Sequence, residues 1–136
     1  DMIFHAKVIS QMKNRISNFS HNFEEKQEIM NFLVHAADLS HTTKKYDVSY
    51  KWTYMISEEF WKQGDEEKKL GLPISFLCNR ENTDVAKSQI GFIKGIILPT
   101  VDLLVDFLPD LEELRNNVEE NLEKWVEEAD KGKDVL

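Results

Sequence analysis

Apolar residues recur along this chain at spacings of three and four, and no segment alternates with the period of two that a half-buried strand needs. The pattern opens with Met2, Ile3, Ala6, Val8, Ile9, Met12 and Ile16 among Lys7, Lys13 and Arg15, which predicts an amphipathic helix from 2 to about 18. A turn follows at Asn18-Phe19-Ser20-His21. Asn22 then precedes Glu25 at capping-box spacing and starts a second helix through Ile29, Phe32, Leu33 and Ala36, ending near Ser40. After a polar loop, His41 to Lys45, a third helix is predicted from about Asp47 to Leu70. Val48, Trp52, Met55, Ile56, Glu59 and Phe60 share its neighbouring faces, and Gly71 and Pro73 end it. The loop from Gly71 to Asn82 carries Pro73, Ile74, Phe76, Leu77 and Cys78, and is expected to pack onto the helices. A fourth helix runs from about Thr83 to Pro99, whose missing amide should kink or interrupt it before residues 100–107 continue. Pro109 suits the first turn of a last helix reaching about Ala129. The fold class is all-α, a multi-helix bundle, with residues 1–136 forming one unit around a modest core.

Charge removes several kinds of partner. With 25 acidic against 17 basic residues the net charge is -8, a surface that repels nucleic acid and anionic membrane. The acids gather at Glu112, Glu113, Glu119, Glu120, Glu123, Glu127 and Glu128, beside Leu111, Leu114, Val118, Leu122 and Trp125 at helical spacing, which reads as a solvated helix face. Cys78 is the only cysteine, so there is neither an internal disulfide nor a cysteine-based zinc site, and an intracellular, cytoplasmic setting is expected. The most apolar stretch, Ile90 to Leu108, is interrupted by Lys94, Asp102 and Asp106. A charge near a bilayer centre costs about 2.5–3.5 kcal/mol, so this stretch reads as a core helix and not a membrane span. The chain opens on Asp1 directly in a helical pattern, and is expected to be cut from something longer.

Few residues offer chemistry. Asp38, near the end of the second helix, presents a hard oxygen ligand, and His35 lies one turn earlier on roughly the same face. By themselves these two residues read first as an aspartate bonding locally and a packed core histidine. Gln89 and Phe92 stand at i and i+3, so a glutamine amide able to bond the edge of a purine sits beside an aromatic face able to stack on its ring. Alone, they are also an exposed amide and a core phenylalanine. Glu58 and Glu59 point about 100° apart on a helix, so one of them, taken as Glu59, faces any site there.

Three blocks in order change the weight of these residues: Ala37-Asp38-Leu39-Ser40-His41; Glu58-Glu59-Phe60 with Gln63-Gly64-Asp65; and Ser88-Gln89-Ile90-Gly91-Phe92. With His5 behind Asp1-Met2, and Asn121 and Trp125 near the other end, they resemble the C-terminal half of the class I cyclic nucleotide phosphodiesterase catalytic domain. The resemblance implies that Asp38 is a metal ligand and that His35 supports the site. It implies that Gln89 binds the purine, that Phe92 stacks on it, and that Ile56 forms the aliphatic side of a clamp. Phe60 and Phe76 would line the same pocket, and His41 would lie near the substrate. Thr42 and Phe76 stand where the family usually has proline, and Asn79 where it often has aspartate, which touches loop shape and base selectivity.

The family's His-Asn-x-x-His-Ala-x-Asp signature, source of the general acid and further metal ligands, is not in this chain. By resemblance the complete domain holds divalent metals, Zn2+ and Mg2+ (or Mn2+), and hydrolyses 3′,5′-cyclic AMP and/or cyclic GMP to the 5′-monophosphate in signal transduction. The missing N-terminal half of the domain is then this chain's partner. One carboxylate cannot define a zinc site, so the isolated chain has no catalytic residue of its own, is expected to be inactive, and should expose an apolar face. The alternative is a non-catalytic helical module that binds a nucleotide or another protein.

Overall fold

A computed structural model of the chain describes residues 2–17 and 23–131. Six α-helices occupy most of them: α1 (Met2–Ser17), α2 (Phe23–Asp38), α3 (Tyr46–Lys69), α4 (Val85–Phe92), α5 (Leu98–Phe107) and α6 (Glu112–Lys131). A short 3-10 turn, Ser40–Thr43, joins α2 to α3, and another, Pro109–Leu111, leads into α6. There is no strand among the described residues, as the spacing of apolar residues requires. The turn expected at 18–21 and the Asn22 cap lie outside the described residues.

The core falls into two groups joined by α5. Ile9 and Met12 of α1 pack with Ile29, Phe32 and Ala36 of α2 and with Leu103 and Leu104 of α5. Ile93, Ile96, Ile97 and Val101 meet Val118 and Trp125 of α6. Both α1 and α6 thus bury one stripe and leave their charged side to water, as their patterns predict.

Pro99 does not break the helix. Residues Ile93–Ile97 form a π-turn in which the amide of Leu98 reaches back to the carbonyl of Ile93, five residues away, and α5 begins with Pro99 in its first turn. A wider turn carries the chain past the residue that has no amide, so the expected kink becomes a change of facing. α4 presents Gln89 and Phe92 to a cavity, whereas α5 turns Leu103 and Leu104 into the α1–α2 core.

Two connections are held by polar groups from distant elements. Asn121 of α6 donates to the carbonyls of Thr42 and Lys44, both at 2.8 Å, and Asn117 donates to Thr43 at 3.0 Å. The hydroxyls of Thr42 and Thr43 close the turn on the carbonyls of Leu39 and Ser40. These bonds satisfy backbone carbonyls of the connection between α2 and α3, which lies outside both helices. The loop after α3 turns at Gly71, in the left-handed region at φ 69°. It then lies back along α3, where a Cβ on Gly64 would run into the carbonyl oxygen of Cys78. Arg80 pairs with Glu58 at 2.8 Å and Asp65 at 3.3 Å over the ring of Trp61, and Glu67 accepts from both the amide and hydroxyl of Ser75 at 2.7 Å. The loop packs as expected at Cys78, but Phe76 is 90% exposed.

Candidate functional site

A cavity of about 720 Å³ opens between the end of α2, the 40–44 connection, α3 and α4. One wall is the row Val48, Trp52, Ile56 and Phe60, which the four-residue spacing puts on one face of α3. All four remain more than a third exposed, so this apolar wall is not buried against the described residues. Facing it are Gln89 and Phe92 of α4, with Leu77 from the loop. Asp38, Ser40, His41 and Lys44 close one end.

The cavity brings together Asp38, His41, Ile56, Phe60, Gln89 and Phe92, which sequence reasoning had singled out from segments up to fifty-four residues apart. Phe76, expected in the same pocket, lines an adjoining cleft of about 740 Å³ with Ile74, Asn79, Asp84 and Gly91. The two spaces adjoin through Leu77, Ser88 and Phe92, which line both, and the backbone turns at Leu77, whose φ is 67°. Neither Glu58 nor Glu59 lines the cavity either; Glu58 is engaged by Arg80, and Glu59 is exposed.

Two contributors were given no role at the site from the sequence. Thr53, wholly buried one turn before Ser57, donates its hydroxyl to Gln89 Oε1 through a long contact of 3.5 Å, leaving the amide N–H groups of Gln89 for another acceptor. A threonine inside a helix reads as neutral in sequence, and only the crossing of α3 and α4 reveals it. Asn121 is the second, since it anchors the segment that carries His41.

Burial keeps the His41 imidazole below its ordinary pKa, so it is neutral near pH 7, and its Nδ1 has no hydrogen-bond partner among the described residues. His35 does not reach the cavity; its Nε2 lies 2.9 Å from Nδ1 of His5, whose pKa is also lowered, by burial first and by His35 second. Asp38 is exposed and continues the outward stripe of Met30 and Val34 along α2. Its carboxylate has no side-chain partner among the described residues, and it fits the part of a single oxygen ligand. Among those residues no group of three or more His, Cys, Asp or Glu is placed to hold a metal ion, so further ligands would have to come from elsewhere. Chemically, the arrangement is a slot for a flat ring, apolar on both faces, with one amide to bond its edge and one carboxylate at the end.

The family model of the 3′5′-cyclic nucleotide phosphodiesterases matches residues 1–118. The chain belongs to this family. The dual specificity calcium/calmodulin-dependent 3′,5′-cyclic nucleotide phosphodiesterase 1B of Bos taurus is 44% identical over 106 residues, covering 78% of this chain and 20% of that protein. The phosphodiesterase 1C of Mus musculus, named in the same terms, is 42% identical over the same length and is covered to 15%. The solved structure of LmjPDEB1 in complex with IBMX superposes with a TM-score of 0.87 at 31% identity, over 96% of this chain and 40% of that one. This phosphodiesterase chain therefore spans about a fifth or less of the curated relatives it matches. No helix among its described residues is long and apolar enough to cross a membrane.

Proposed function

We propose that this chain supplies the base pocket and one metal ligand of an enzyme that hydrolyses 3′,5′-cyclic AMP and/or cyclic GMP to the 5′-monophosphate. The observation that carries the reading is the convergence of Ile56, Phe60, Phe92 and Gln89 on one cavity with Asp38 at its end. The purine lies between the aliphatic face of Ile56 and the ring of Phe92, and the Gln89 amide bonds its edge. His41, neutral at physiological pH, sits beside the ligand without carrying charge to it. Asp38 is one ligand of a Zn2+ or Mg2+ (or Mn2+) site whose other ligands lie outside the described residues. The relatives' description as dual specificity enzymes supports keeping both cyclic nucleotides as substrates. An intracellular, cytoplasmic setting belongs to the same proposal.

The test is hydrolysis of both cyclic nucleotides by the intact protein that carries these residues, compared with its Asp38→Ala and Gln89→Ala variants. Asp38→Ala is expected to abolish turnover, and Gln89→Ala to raise KM by one to two orders of magnitude through loss of base hydrogen bonds worth about 1.5–3 kcal/mol. Full activity of Asp38→Ala would overturn the metal-ligand role. A folded intact protein that binds nucleotide but hydrolyses none would leave the non-catalytic binding module as the function.

A further inference from the structure

Charge is unevenly spread around the cavity. Among the described residues that line it, Lys44 alone carries a positive charge and Asp38 alone a negative one, while His41, between them in sequence, is neutral near pH 7. Both charges belong to the end formed by the close of α2 and the connection that follows it. The amide of Gln89 lies further along, where it meets Thr53 of α3. Lys44 precedes the first residue of that helix, Tyr46, and the helix rises about 10 Å between Tyr46 and Thr53. A nucleotide whose base edge is bonded by Gln89 therefore has room to extend its sugar and phosphate toward Lys44.

The backbone at Lys44 is held while its charge is unengaged. Asn121 donates to its carbonyl at 2.8 Å, and its own amide donates to the carbonyl of His41 at 3.3 Å. Lys44 also borders a smaller space of about 230 Å³ with Leu39, Leu111 and Leu114, surroundings suited to a four-carbon stem that carries its charge outward. Lys68, Lys69, Lys87 and Lys131 each hold a carboxylate, whereas the Lys44 ammonium has no such partner among the described residues. In a chain of net charge -8 an anion is repelled overall, so a cation at the cavity end is a local exception to the field. With Asp38 given to a metal ion, Lys44 is the charge this chain keeps for the ligand.

We propose that Lys44 binds the phosphate of the cyclic nucleotide and of the 5′-monophosphate made from it, adding a charge contact to the base contacts of Gln89, Phe92 and Ile56. This rests on the cavity being the nucleotide site. Lys44 then sorts ligands by charge: it does nothing for an uncharged nucleoside, holds the single charge of a cyclic phosphate, and holds a 5′-monophosphate most strongly, since that phosphate carries about -1.5 to -2. Lys45, next in sequence, caps α3 and does not line the cavity, so it separates this role from a general effect of surface charge.

The experiment uses the intact protein with manganese held constant. Calorimetric binding of adenosine and of 5′-AMP, together with KM for cyclic AMP, is compared in Lys44→Gln, Lys44→Arg and Lys45→Gln. Lys44→Gln, which leaves both backbone bonds in place, is expected to bind adenosine as wild type does. It should raise KM for cyclic AMP about 3–5-fold with kcat little changed, and weaken 5′-AMP about 5–20-fold. Lys44→Arg should recover most of the loss, and the salt dependence of 5′-AMP binding should flatten in Lys44→Gln alone. Equal losses for adenosine and 5′-AMP, an arginine variant no better than glutamine, or a Lys45→Gln that matches Lys44→Gln, overturn the proposal. If Gln89→Ala binds adenosine as tightly as wild type, the base-pocket reading has failed and takes the proposal with it. A weakened Gln89→Ala beside a Lys44→Gln without effect on 5′-AMP overturns the proposal alone, and both are read without turnover.

Discussion

Replacing Asn121 by alanine removes the donor shared by the carbonyls of Thr42 and Lys44, at 2.8 Å each, from a residue only 1% exposed. A buried polar group left unpaired costs about 1–3 kcal/mol. Thr42 is fully enclosed and bears the whole loss, whereas Lys44 is exposed enough for water to recover part of it, so the two together come to about 2–4 kcal/mol. In a unit of this size one kcal/mol corresponds to about 3–5 °C, which places the fall in Tm at about 6–20 °C. Asn117→Ala, which breaks one bond to Thr43, should lose about half as much. Asn121→Asp is the sharper variant, since it keeps the shape but turns acceptor oxygens toward two carbonyls. Thermal denaturation followed by circular dichroism gives the ranking, and hydrogen exchange of amides 40–45 shows whether the loss is local. A melting temperature for Asn121→Asp equal to wild type, or an Asn121→Ala no worse than Asn117→Ala, would refute the view that α6 holds the segment bearing His41.

Two further outcomes follow from the same geometry. In Gly64→Ala the new methyl would meet the Cys78 backbone, so the loop over α3 must lift; a loss of about 1–3 kcal/mol is expected, with faster proteolysis between Leu72 and Asn82, and a wild-type cleavage pattern would count against the close packing of this loop on α3. Acidification should weaken the fold before the carboxylates titrate, because burial lowers the pKa of His5 and His41 while the unfolded chain takes up protons near 6.5. The native state binds fewer protons in that window, so stability is full above 6.5 and is lost as the pH falls toward the depressed values. Urea midpoints that stay constant from about pH 7 to about pH 5.5 would show that these rings titrate as free histidines.

What the chain discloses before folding depends on how local each cause is. The α3 wall was legible because Val48, Trp52, Ile56 and Phe60 follow helical spacing, and Gln89 with Phe92 because an i, i+3 pair needs only its own helix. Asp38 became conspicuous only with the blocks around it. The position of Phe76 was not legible, because a loop residue has no period and the course of this loop follows contacts at Gly64, Glu67 and Arg80. Thr53 and Asn121 are ordinary polar residues until helices thirty-six and seventy-nine positions away in sequence reach them. The His5–His35 contact likewise spans thirty residues. Pro99 announced an irregularity without saying whether it would be a bend or an extra residue in the turn, because that choice rests with the buried packing of Ile93, Ile96 and Ile97.

The π-turn makes the pocket sensitive to length in a way that the fold is not. Deleting one residue between Ile93 and Ile97 would let the turn relax toward ordinary α geometry, and both flanking helices could persist. Everything on the α4 side would then rotate by about 100° relative to α5, carrying Gln89 and Phe92 away from the α3 wall while Leu103 and Leu104 stayed in the core. Along these five residues a homologous chain is free to vary in side-chain identity, provided each stays apolar where it is buried, but not in count.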